Sequence, residues 1–285
     1  MNCPYCQSPV DESTGLCTGC GARIIKKTAN GQNPQPTRQP AYAETAGMAK
    51  TVSNTGMLLG RAAREARLRT AVDSGELISD RAYNGVIVGV LLWGLLVNYV
   101  LCTLFSQSIL SVNPTVLLVG YLVLAIAGTI IAARSHNPVV SFIGYNMVVV
   151  PFGLVISWFV GALGGIDSQV VTYAFLYTML IATGMFACYL IAPQFFSKIG
   201  GALLAVLGGL VLCELVLLIF RVDQVVTDWL AAGIFSLYIG YDIYRSQQYP
   251  KTVDNAVDSA LDIYMDIANL FIRLLVILAR SKSDD

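Results

Sequence analysis

Seven apolar runs, each about as long as a bilayer is thick, constrain this chain more than any other feature. They fall at residues 83–105, 114–133, 138–160, 170–191, 199–220, 228–245 and about 258–280. A helix needs roughly 17–25 residues to cross the hydrocarbon core. The breaks between runs are short: SQSILSVNP, RSHNP, GALGGIDSQ, APQFFSK, RVDQVVTD and SQQYPKTVDN. Charged residues make up 13% of the 285 positions, half of the roughly 25% usual in soluble domains. The pattern predicts an all-α polytopic membrane protein, a seven-helix bundle over residues 82–285 in contact with the lipid bilayer.

Orientation follows the basic residues in the short flanks. The N-terminal side and the breaks holding Arg134, Lys198, and Arg245 with Lys251 carry nearly all of them, and the other breaks hold only Arg221. The expected topology has a cytoplasmic N-terminus and an external C-terminus. Arg280 and Lys282 at the external end run against the rule, partly offset by Asp284 and Asp285. The opening MNCPYCQSPV has neither the basic flank nor the apolar region of a secretory signal.

Residues 1–25 read as a small domain of their own. Cys3 and Cys6, then Cys17 and Cys20, form two C-x2-C turns, and two such turns supply a tetrahedral zinc site. So short a segment cannot bury a core, so the metal would supply its folding free energy. With all four ligands from protein, that zinc is structural. The alternative, two disulfides, requires an oxidising compartment. The segment resembles the short zinc ribbons fused to many bacterial proteins. Residues 26–81 form a linker: KKTANGQNPQPTRQPAYA reads as a flexible tether. A basic segment with Arg61, Arg64, Arg67 and Arg69 follows, suited either to an anionic membrane surface or to a solvated helix.

Charge inside the apolar runs is the informative anomaly. Asp254, Asp258, Asp262 and Asp266 recur at every fourth position, a slowly drifting stripe on a helix. Asp254 and Asp258 read most simply as solvated on a cytoplasmic extension of the last helix, with Asp262 intermediate. Asp266 lies about 12 Å into the last run by helical rise. There a carboxylate is costly, and its chain is too short to reach the interface. Arg134, Asp242 and Asp266 are expected in the same leaflet, where they can neutralise one another. Arg134 and Asp242 also fit as helix-end charges at the headgroups. Glu214 sits near the outer end of the fifth run, a candidate for the pore or its mouth together with Asp262. His136, in a cytoplasmic turn, is the one histidine.

The last run, ALDIYMDIANLFIRLLVIL, resembles the signature helix of the Bax inhibitor-1 (transmembrane Bax-inhibitor-motif) family. So does AAGIFSLYIGYDIYRSQQY before it, and FLYTMLIATGMFACYLIAPQFFSKIGGALLAVLGGLVL is similar to the family's fourth and fifth spans. The resemblance covers roughly residues 80–280. It implies a seven-span bundle with the last helix central and a pH-sensitive calcium leak governed by an aspartate pair, here Asp242 and Asp266. It also implies a latch arginine on the second helix, here Arg134. Departures from the family are the zinc ribbon, Arg273 within the last helix and a sparse break between the second and third runs.

Three classes of function follow. A cation leak would use the two carboxylates, with carbonyls and water, as a weak Ca²⁺ site, and a close carboxylate pair shares a proton and titrates as a unit. An intramembrane aspartyl protease needs Gly-x-Gly-Asp on the later helix and a Pro-Ala-Leu run. Here Ile263, Tyr264 and Met265 precede Asp266 and no such run exists, so no enzyme is expected. A membrane interaction protein, modulating a protease or a stress or cell-death pathway, is the alternative, and a cytoplasmic partner for the ribbon would suit it. No nucleic acid is expected. The compartment expected is the bacterial plasma membrane.

Overall fold

The computed structural model describes residues 76–220 and 225–283. In chain order the long helices are α1 (Asp80–Phe105), α2 (Pro114–Arg134), α3 (Pro138–Ala162), α4 (Gln169–Ile191), α5 (Pro193–Phe220), α6 (Val225–Ser246) and α7 (Val253–Ser283). A 3-10 turn at Ser108–Ser111 follows α1. The cysteine-rich segment, including Cys3, Cys6, Cys17 and Cys20, lies outside the described residues, as does nearly all of the linker.

The helices begin where local chemistry starts them. Ser79 caps α1 by accepting from the Ala82 N–H at 3.2 Å. Asn137 caps α3 through Val139 N–H at 2.9 Å, with Pro138 next in line. Thr252 accepts from Asn255 N–H at 3.1 Å at the head of α7. Pro193 opens α5 six residues before the apolar run expected at 199, because proline at the first helical position loses no hydrogen bond. Between α3 and α4 the chain turns through Gly164 and Gly165, at φ 97° and 93°, a conformation side chains resist.

Among the described residues, five helices are long and apolar enough to cross a membrane: α1, α2 from Val116, α3, α4, and α5 up to Glu214. The two last runs fold into helices where expected but are not in that group. α6 carries Asp228, Asp242 and Arg245, and α7 the aspartate stripe with Arg273 and Arg280. The outward faces expose large apolar side chains, such as Leu92 at 60% and Leu180 at 69%, as a surface solvated by lipid requires.

α7 packs against α1, α3, α4 and α6, so the helix richest in charge is the one most enclosed. α2 lies chiefly on α3 and α5 on α6. α2 and α3 touch backbone to backbone. A methyl group on Gly128 would sit 2.6 Å from the Gly144 carbonyl oxygen, and one on Gly144 equally near that of Gly128. Small residues at a helix crossing permit that approach where lipid gives no hydrophobic drive. In the core, Tyr145 and Tyr264 meet edge to face with ring centroids 5.8 Å apart. Both are satisfied: Tyr145 donates to the Val90 carbonyl at 2.9 Å, and Asn98 donates to the Tyr264 hydroxyl at 2.7 Å.

Candidate functional site

Four aspartates four residues apart do not share one face of α7 for long, since each step drifts by about 40° around the axis. The structure uses that drift to give them different neighbours. Asp254 accepts the Ser141 hydroxyl of α3 at 2.5 Å. Asp258 lies within electrostatic reach of Tyr83 on α1. Asp262 and Asp242 both act on the Arg245 guanidinium of α6. Asp266 is 0% exposed and Asp242 3%.

The expectation that Asp254 and Asp258 are solvated is incorrect: they are 6% and 2% exposed. The head of α7 does not project from the bundle. The segment before it folds across the end, with Ile78 N–H donating to the Lys251 carbonyl at 2.9 Å. Asn255 Nδ2 bonds the Pro250 carbonyl at 2.9 Å. Tyr83 reaches from α1, donating to the Ser246 carbonyl at 2.9 Å, with its hydroxyl 3.0 Å from Ser259 Oγ. The ends of α1, α6 and α7 are thereby tied into one polar cap.

Arg134 is not brought to Asp242. It stands exposed at the end of α2, whose principal packing partner is α3. The cation beside Asp242 is Arg245, 5% exposed and lying over the Tyr249 ring at 5.6 Å. Sequence reasoning counted Arg245 as a flanking charge. The signal that could have found it is its spacing: Asp242 and Arg245 are three apart and so share a helix face. His136 is exposed.

A second charged cluster closes the other end of α7. Arg273 contacts both Glu214 carboxylate oxygens at 2.8 Å and Asp228 Oδ1 at 2.6 Å. Arg280 reaches Asp228 Oδ2 at 2.5 Å. Glu214, the candidate mouth residue, thus sits in a network of two carboxylates and two guanidiniums joining α5, α6 and α7. Asp228, taken as a break residue, is its centre at 3% exposure. Arg273, 22% exposed, is held by carboxylates that are themselves more enclosed, at 16% for Glu214 and 4% for Asp228. Among the described residues no group of three or more His, Cys, Asp or Glu forms a metal cage.

Lys251 lies in the polar cap, outside the helices. Its ammonium donates to the Gln247 carbonyl and Oε1, both at 3.0 Å, and rests 4.5 Å from the Tyr83 ring centre. Burial pushes it down to about 8 from 10.5, against an opposing pull from the Asp80 carboxylate. The unfolded chain therefore binds more protons between these values, and this group's contribution to stability rises with pH across the window. Thermal melting in detergent from about pH 8 to 10 should show a shallower rise, or a steeper fall, for Lys251→Met than for the wild type. Identical pH slopes would contradict the assignment.

These features define a class: a helical membrane protein that keeps carboxylates and guanidiniums inside its bundle, grouped at the two ends of its last helix. The family follows from the same region. Residues 78–284 match the family model described as Inhibitor of apoptosis-promoting Bax1, and the chain belongs to that Bax inhibitor-1 family. No curated protein and no solved structure matches it.

Proposed function

We propose that the protein is a pH-sensitive cation leak, passing calcium, in which Asp242 and Asp266 form the ion-binding and proton-sensing pair. The observation that carries this reading is the burial of both carboxylates, on helices packed together, with a buried guanidinium beside Asp242. A charge withdrawn this far from water is retained where it pairs or lines an ion path. With no cage among the described residues, the pair would hold Ca²⁺ weakly, the remaining ligands being carbonyls and water. Weak binding lets an ion leave as well as enter.

Arg245 takes the latch role first given to Arg134. Protonating Asp242 removes one of the two charges that hold Arg245 and loosens the α6–α7 packing. All seven helices would span the membrane, α6 and α7 sheltered by the apolar five. The basic flanks favour a cytoplasmic N-terminus and the plasma membrane. Calcium uptake into liposomes holding only this protein tests the proposal: uptake above that of empty liposomes is expected, and none at any pH would refute it.

The zinc ribbon belongs to a different role. Cys3, Cys6, Cys17 and Cys20 would hold one Zn²⁺, and a closed zinc module on a tether suits a cytoplasmic partner better than conduction. Modulation of a protease or stress pathway is therefore the second reading. Metal analysis of the purified chain should give one zinc, lost in Cys3→Ser or Cys17→Ser with membrane insertion intact. Full retention of zinc in both variants would end the assignment. Cys102, Cys188 and Cys213 lie in α1, α4 and α5 and should not affect it.

A further inference from the structure

A cavity of about 310 Å³ lies between α1, α3, α4 and α7, lined on α7 by Ile267 and Ala268, which follow Asp266 in the chain. Its inner wall is formed by Cys102, Ile156, Val171 and Ala268, all 8% exposed or less. Its rim is Tyr99 on α1 with Phe175 and Met179 on α4, at 60%, 52% and 38%. Both helices pack against α7 but not closely against each other, and the opening lies in that gap. Both are also membrane-spanning candidates, so the opening is continuous with the lipid-facing surface.

The wall chemistry selects hydrocarbon. The surface is almost wholly apolar, and its threonine hydroxyls are spent locally. Thr178 donates to the Ala174 carbonyl at 2.7 Å and Thr172 to the Ser168 carbonyl at 3.3 Å. Asn98 turns its amide donor to Tyr264, and its oxygen, packed against Gly153, accepts no hydrogen bond among the described residues. One amide oxygen in the wall and the Tyr99 hydroxyl at the rim are too few polar groups to bind a headgroup or to hold a water, which needs about two to four partners. An unfilled cavity also forfeits the dispersion contacts of its lining, and lipid chains are the apolar groups present at its mouth.

We infer that this cavity is a binding site for one acyl chain of a membrane lipid, entering sideways between α1 and α4. The chain end would rest on Ala268, two residues past Asp266. The inference does not depend on ion conduction.

The test reconstitutes the full chain in phosphatidylcholine vesicles doped with a phosphatidylcholine carrying a diazirine near the end of one acyl chain. After irradiation, digestion and mass spectrometry locate the adducts. Label on Cys102, Val171 and Ala268, which lipid on the outer surface cannot touch, is the expected result. Adducts confined to outward residues such as Leu96 and Leu180 would overturn the proposal, whether the cavity is empty or covered by a second copy. Thr178→Phe fills the cavity and should reduce the inner-wall adducts several-fold while leaving Leu180 labelled. Met179→Trp at the rim makes the same test without a buried substitution. Inner-wall label unchanged in a folded variant would equally count against a chain in this cavity.

Discussion

Arg245→Met should destabilise the bundle by roughly 3–5 kcal/mol, the usual consequence of removing one partner from a buried ion pair. The guanidinium is 5% exposed and acts on both Asp242 and Asp262. Methionine fills the space but leaves two carboxylates without their cation in a low-dielectric interior. The readouts are the yield of monodisperse protein in detergent and its melting temperature. Asp242→Asn in the same chain should restore part of the loss, because the two substitutions share one interaction. Arg134→Met is the control: on an exposed helix end it should stay within about 0.5 kcal/mol of wild type and leave ion flux unchanged. A stable Arg245→Met protein would mean that the aspartates are neutralised some other way.

Asp266→Asn should bring calcium uptake down to that of empty liposomes. The substitution keeps the shape of the side chain and removes its charge. At a site 0% exposed on α7, that change reaches ion binding before it reaches packing. Calcium prefers charged oxygen ligands, and an amide in place of Asp266 leaves the proposed pair one carboxylate to do the work of two. Asp254→Asn is the comparison, because Asp254 is engaged with Ser141 at the capped end and an amide oxygen can still accept that hydroxyl. Uptake should survive there. Wild-type uptake in Asp266→Asn would make the buried carboxylate structural.

The helices were legible because their signal is length and hydropathy, which survive without knowledge of neighbours. Each apolar run became a helix, and the largest differences, the early starts of α5 at Pro193 and α7 at Val253, lie in polar sequence that carries no such signal. Burial of charge was legible only in part. Asp266 follows apolar sequence and could be placed inside. Asp254 and Asp258 sit in polar sequence and looked solvated, since nothing in VDNAVDSA tells that α1 and the 247–252 segment fold over it. The network of Asp228, Glu214, Arg273 and Arg280 depends on three helices meeting at one level, which no spacing along the chain encodes. Asp242 and Arg245 were the opposite case: their three-residue spacing already placed a cation near Asp242, which the distant Arg134 was expected to neutralise.

The claim that most needs testing is that Asp242 and Asp266 act together as the proton-sensing gate. Calcium uptake by wild-type and Asp242→Asn liposomes, measured side by side from neutral to mildly acidic pH, addresses it directly. Wild-type uptake should rise on acidification, as protonation of Asp242 weakens its hold on Arg245. Asp242→Asn should be insensitive to pH over the same range, because a lone Asp266 has no partner with which to share a proton. The same pH dependence in both proteins would contradict the account.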